Sequence, residues 1–214
     1  MKPNPGWING SNESSGVSVH DPAVRRFDRI TVPGGQLRRV HAATAAGLLE
    51  AYPEYGQHVS YDDVIRLTRQ VTGDVRDVAE LVRRAVFNVV THNRADHARN
   101  LAYLWTPADG WRLAPAYDLA YSMGPRPAYA ATGPGEHYLD VAGKGAYITR
   151  ADLVGLHKSA GLKPVEVEEM VDAAVAAVTH WPRLSASNGV DPEVTEQVAT
   201  RLPALAGDQT RPLR

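Results

Sequence analysis

The chain contains no cysteine in 214 residues, which excludes disulfides and thiolate metal sites. It has no apolar run near the roughly 18 residues that a membrane-spanning helix needs. The opening stretch MKPNPGWINGSNESSG lacks the apolar centre of a signal peptide, so a cytoplasmic location is expected. Neither sign of charge prevails: 23 Lys and Arg against 24 Asp and Glu leave a formal charge of −1. That balance predicts neither direct nucleic-acid binding nor attachment to a membrane surface.

What is present reads as one body. Residues 1–22 carry Pro, Gly, Asn and Ser with little to bury, and are expected to form a disordered or loosely attached leader. The folded part is expected over residues 23–207, with residues 208–214 as a flexible tail. AVRRFDRITV and QLRRVHA alternate around a Pro-Gly-Gly turn and predict a hairpin. Ser60 with Asp63 forms a capping box ahead of VIRLTRQV, and Gly73 ends that helix. Asp74 opens a longer one, in which Val78, Leu81, Val82, Ala85, Val86 and Val89 recur at helical spacing and mark a core face.

LAYLW and WRLAP flank the turn TPADG and predict a second hairpin from Leu101 to Leu113. Residues 123–148 read as a long loop with one short strand at HYLDV. Three helices are expected to close the chain. Thr149 with Asp152 caps ADLVGLHKSA, Pro164 starts VEVEEMVDAAVAAVTHW, and Asp191 with Pro192 caps EVTEQVATRL. The fold class is thus α+β, mainly helical, with short hairpins.

Chemistry concentrates in NRADHARN and the residues after the second hairpin: His92, Asn93, Asp96, His97, Asn100 and Asp118. Three readings compete. The polar groups cap turns while the histidines pack on Trp105 and Trp111; or His92, His97 and Asp118 bind zinc, although a five-residue spacing does not put two histidines on one helical face; or the stretch serves phosphoryl transfer. The last needs a base, an amide oxygen five residues later and a second carboxylate beyond a hairpin, the latter two sharing magnesium. Asn100 and Asp118 fill the last two places, but counting back five from Asn100 reaches Ala95.

The stretch VFNVVTHNRADHARNLAYLW followed by GWRLAPAYDLAYS resembles the C-terminal lobe of the HipA-like serine/threonine kinases, toxins of HipA/HipB-type toxin-antitoxin modules. AVRRFDR resembles their hinge strand, and GEHYLDVAGKGAYITRADL the segment after the metal-binding aspartate. The resemblance implies the C-lobe of a protein-kinase-like fold, ATP and Mg2+ as cofactors, Asn100 and Asp118 as metal ligands, and Asn93 and His97 on the cofactor side of the loop. It implies a HipB-like antitoxin, or a separate N-lobe protein, as partner.

Two departures stand out. The family reads N-x-D-D-H-x-x-N or N-x-D-G-H-x-x-N with the first aspartate catalytic, and here that place is Ala95, with Asp96 one residue on as a weak substitute. Loss of general-base assistance raises a barrier by roughly 3 to 5 kcal/mol. The family's N-terminal half carries a phosphate-covering loop and a strand lysine, and only Lys2 precedes AVRRFDR. The expectation is an impaired kinase lobe, or alternatively a noncatalytic interaction module. Among lesser candidates, Asn88 is a buried amide or a support for the loop, Arg94 and Arg99 are phosphate contacts or surface charge, and Trp181 is a core-edge anchor. His41 is read as part of an exposed face.

Overall fold

The computed structural model describes residues 26–51, 58–122 and 135–202. The expected leader, residues 1–22, and tail, residues 208–214, lie outside the described residues, as do residues 123–134 of the expected long loop.

The centre of the fold is α3, Val75–Val90, preceded by α2, Tyr61–Thr72. The capping box at Ser60 forms in both directions, and Gly73 takes the left-handed conformation (φ 63°) that closes α2. Asp74 caps α3 through the Arg76 N–H. The side-chain hydrogen bond from Arg76 holds the Asp74 carboxyl down at about 2, so the cap is ionised at neutral pH. One face of α3 buries Val78, Leu81, Val82, Ala85, Val86 and Val89 against α2 and α6, Pro164–Val178. Each valine or leucine among them contributes roughly 1.5–3 kcal/mol when fully removed from water.

The first hairpin is β1, Arg29–Thr31, with β2, Leu37–Arg39, paired antiparallel so that Ile30 faces Arg38. It is shorter than the sequence suggests. After Val40 the chain leaves it, and β3, His41–Thr44, pairs antiparallel with β5, Ala102–Thr106, putting His41 opposite Trp105. β6, Gly110–Leu113, completes a three-stranded sheet in the order β3-β5-β6, with Tyr103 opposite Leu113. Between these elements lie α1, Ala45–Leu48, and β4, Val59–Ser60.

Polar contacts fix this sheet to the helices. Thr68 Oγ1 lies 2.8 Å from Tyr103 Oη, and Arg112 grips Asp77 of α3 with Nε and Nη2 at 2.8 and 3.0 Å. β7, Leu139–Asp140, falls within the expected HYLDV strand and pairs in parallel with β4.

The closing helices are more broken than their apolar pattern suggests. ADLVGLHKSA divides at Leu156 into α4, Arg150–Gly155, and α5, His157–Ala160. The long helix ends at Val178 rather than reaching Trp181, and Trp181 starts α7, Trp181–Ser187, which the sequence reading did not separate. Pro182 is the reason: it has no N–H to continue the ladder, and is accommodated only in a first turn. α8, Pro192–Ala199, begins at Asp191 as expected, and Trp181 Nε1 donates to the Thr195 carbonyl to hold α7 on α8. Among the described residues no helix is long and apolar enough to cross a membrane.

Candidate functional site

α3 delivers the chain into residues 92–97, a 3-10 turn at Ala98–Asn100 then leads into β5, and β6 returns it to Asp118. Two non-glycine residues bound this path in the left-handed region, His92 (φ 54°) and Asp118 (φ 54°). Such a conformation costs roughly 1–3 kcal/mol per residue and persists where surrounding contacts over-determine it. Here they do. Ser122 donates its N–H to the His92 carbonyl at 3.0 Å, Asn93 donates its N–H to the Asn88 carbonyl at 2.8 Å, and Ala95 donates its N–H to Ser122 Oγ at 2.8 Å.

Asn100 and Asp118, eighteen positions apart, are brought together. Asn100 Nδ2 donates to Asp118 Oδ2 at 2.6 Å and to the Ala95 carbonyl at 3.1 Å. With the amide nitrogen held between two acceptors, Asn100 Oδ1 has no hydrogen bond among the described residues. Asp118 itself is exposed. One amide oxygen and one carboxylate on an open edge suit magnesium, which keeps several waters and takes its remaining oxygens from substrate phosphates. Zinc is a different matter: among the described residues no three His, Asp or Glu side chains are grouped to hold a metal, so His92, His97 and Asp118 do not form such a set.

Behind the pair runs a buried chain of hydrogen bonds. Asn93 Nδ2 reaches the Asp118 carbonyl at 3.4 Å and Asn88 Oδ1 at 3.0 Å. Asn88 Nδ2 donates to Tyr61 Oη at 2.9 Å, and Tyr61 donates onward to Asp96 Oδ2 at 2.7 Å. Asn88 is therefore a support for the loop as well as a buried amide. Burial, and then the charge of Asp96, push the Tyr61 hydroxyl well above its ordinary range, so it stays protonated and donates.

Asp96 is 2% exposed and carries three partners: Tyr61 Oη, His137 Nδ1 at 2.8 Å, and the Tyr138 N–H at 2.9 Å. Its carboxylate anchors the loop to α2 and to the strand at Leu139. Taking a proton from a substrate would break that anchor. Position 95 itself offers a methyl group and two backbone hydrogen bonds.

The remaining residues sort by burial. His97 packs edge-on against Tyr138, with ring centroids 5.6 Å apart, and its Nδ1 is buried without a partner among the described residues. Arg99 is exposed, and its carbonyl accepts from Tyr117 Oη at 2.6 Å. Burial, followed by the charge of Asp118, pushes that tyrosine up to about 12. Arg94 is 3% exposed, so it is not surface charge. A small cavity beside Asn100 and Asp118 is also lined by Arg84 and Asn93; Arg84 Nη1 and Asn93 Oδ1 are buried without partners among the described residues.

Sequence reasoning did not single out Tyr61, Arg84, Ser122 or His137. Tyr61 stands first in α2 directly after its cap, a weak signal for a buried residue; His137 has none, because its role depends on a contact 41 positions away.

Three comparisons bear on this arrangement. The model of the HipA-like C-terminal domain family matches residues 12–181. A curated protein named "Putative kinase Y4mE", from Sinorhizobium fredii, is 32% identical over 101 residues, which are 45% of this chain and 24% of that protein. A chain in a solved structure of the Shewanella oneidensis MR-1 toxin-antitoxin system HipA, HipB and its operator DNA complex superimposes with a TM-score of 0.61 at 18% identity, covering 82% of this chain and 45% of that one. That last likeness concerns the fold, and the chain spans less than half the length of either relative. With most of its length matched by the family model and a mixed α+β fold of the same kind, the chain belongs to the HipA-like C-terminal domain family.

Proposed function

We propose that the chain is the C-terminal lobe of an ATP-dependent serine/threonine kinase of the toxin-antitoxin type, retaining a magnesium-nucleotide half-site while its phosphotransfer is impaired at Ala95. The observation that carries the reading is the 2.6 Å contact between Asn100 and Asp118 across the β5-β6 hairpin. Asn100 Oδ1 and the Asp118 carboxylate would hold Mg2+, whose charge offsets that of the nucleotide phosphates. Asn93 fixes the Asp118 backbone through its amide, and His97 braces the other side of the loop on Tyr138. Asp96 does not replace the missing base, because its carboxylate is already held by three donors.

The test has two arms. Calorimetry with magnesium and ATP should show binding that Asp118→Asn abolishes, and silence of the unaltered chain at millimolar nucleotide would refute the half-site. Ala95→Asp, supplied with an N-lobe of the family, should raise phosphorylation by about 10²- to 10⁴-fold, the usual worth of a positioned general base.

A second reading, a noncatalytic interaction module, is favoured by the β1-β2 hairpin. Leu37 is 69% and Ile30 41% exposed, and a two-stranded ribbon alone is marginally stable in water. The partner would be a HipB-like antitoxin or a separate N-lobe protein. Under this reading Leu37→Asp abolishes complex formation while nucleotide binding is absent from the start.

A further inference from the structure

We propose that Arg94 is the centre of an oxyanion site of the phosphoryl type, buried beside the loop and separate from the Asn100 and Asp118 pair. Arg94 is 3% exposed, and its Nε and Nη1 are buried with no hydrogen-bond partner among the described residues. A cation withdrawn from water without a counter-charge is strongly unfavourable, so a buried arginine with two unspent donors calls for an anion. Among the described residues one carboxylate acts on it, that of Asp96. Both Asp96 oxygens are engaged elsewhere, by Tyr61, His137 and the Tyr138 N–H.

Among the described residues, Tyr121 and Tyr147 also act on the guanidinium. Tyr147 is 62% exposed and sits in the left-handed region (φ 56°), an uncommon conformation for a non-glycine residue. Guanidinium groups are suited to phosphoryl oxygens because they are planar, permanently charged and rich in donors. The choice of phosphoryl over other oxyanions rests on the kinase reading; the need for an anion does not. An anion seated here would tie the loop at Arg94 to the segments carrying Tyr121 and Tyr147, and so stiffen the ground on which residue 95 stands.

The phosphoryl group has two sources, a phosphate covalently attached to this chain or free phosphate, and the experiment separates them. The full chain is treated with phosphatase, checked by intact mass, and titrated with inorganic phosphate at constant ionic strength in the presence of a chelator. Phosphate at about ten times its Kd should raise Tm by about 3 to 6 °C. Arg94→Met should lose this response, and Asp118→Asn should keep it, which distinguishes the site from the magnesium-nucleotide half-site. If the source is covalent, the chain as purified is heavier by one phosphate, responds to added phosphate only after dephosphorylation, and loses Tm on that treatment. Should Arg94→Met fail to fold, Arg94→Lys serves, with phosphate affinity expected to fall at least about tenfold through loss of the planar fork. An unmodified chain that ignores phosphate, an equal response in Arg94→Met, or equal affinity in Arg94→Lys each overturns the proposal.

Discussion

Replacing Tyr61 by Phe removes a single oxygen from the middle of the buried chain that joins Asp118 to Asp96. The ring stays, so packing against α3 is preserved. What is lost is the bond to Asp96 at 2.7 Å, and Asn88 Nδ2, 2.9 Å away on the other side, loses its acceptor. A hydrogen bond to a charged group is worth about 1.5–3 kcal/mol, and a buried donor left without a partner costs about 1–3 kcal/mol. Partial relaxation of the Asn88 amide trims the total, so a loss of about 3 kcal/mol is expected. For a chain of this size that corresponds to a fall in Tm of about 6 to 12 °C. Urea unfolding followed by circular dichroism measures it, with an unchanged m-value as the sign that the two end states are the same. The double mutant with Asp96→Asn should show a coupling of at least about 1 kcal/mol, because both changes strike one network. A loss below about 1 kcal/mol, or strict additivity with Asp96→Asn, would sink the claim that this network holds the loop.

Two further outcomes are expected. Burial pushes the Tyr103 hydroxyl up to about 12, above its value in the unfolded chain, so the unfolded form loses its proton first as pH rises. Stability should be intact below about pH 10 and decline from there through about pH 12, by up to roughly 1.4 kcal/mol per pH unit for this one group. Tyr103→Phe should flatten the decline in urea midpoint against pH; an identical slope would show that other groups set it. Gly161→Ala and Gly73→Ala both place an alanine in the left-handed region, at φ 61° and 63°, yet only at Gly161 does the new methyl come within 2.9 Å of Arg69 Nη2, which bonds the Ala160 and Ser159 carbonyls. Gly73→Ala should cost about 1 kcal/mol and Gly161→Ala about 1 kcal/mol more, and equal losses in thermal unfolding would show that Arg69 moves aside freely.

The features that were legible in the sequence are those whose physics is local. A capping box needs four consecutive residues, and both expected ones, at Ser60 and Thr149, form with both of their hydrogen bonds. The TPADG turn specifies its hairpin for the same reason. The departure of β3 from the first hairpin was hidden, since its partner β5 lies some 60 positions on and nothing in HAAT announces it. Helix breaks at Leu156 and Thr179 were masked by apolar patterns that run through them. At the site, Asn100 and Asp118 were singled out together in the sequence, and the structure puts their side chains in contact. The fates of Asp96 and Arg94 were not readable: two charged loop residues of opposite sign, two positions apart, end up tightly partnered and unpartnered respectively, according to which segments close over them.

The described residues on either side of positions 123–134 are anchored at neighbouring points. Ser122 is stitched to His92 and Ala95, while His137 and Tyr138 are stitched to Asp96. Both feet of the intervening chain thus stand on five consecutive residues, whatever lies between them. Because closing a loop becomes only slowly more unfavourable as it lengthens, this is a natural graft point. Sequence can be inserted or deleted there without loosening either foot, so the length of this stretch is free to vary while the loop at residues 92–96 keeps its anchors.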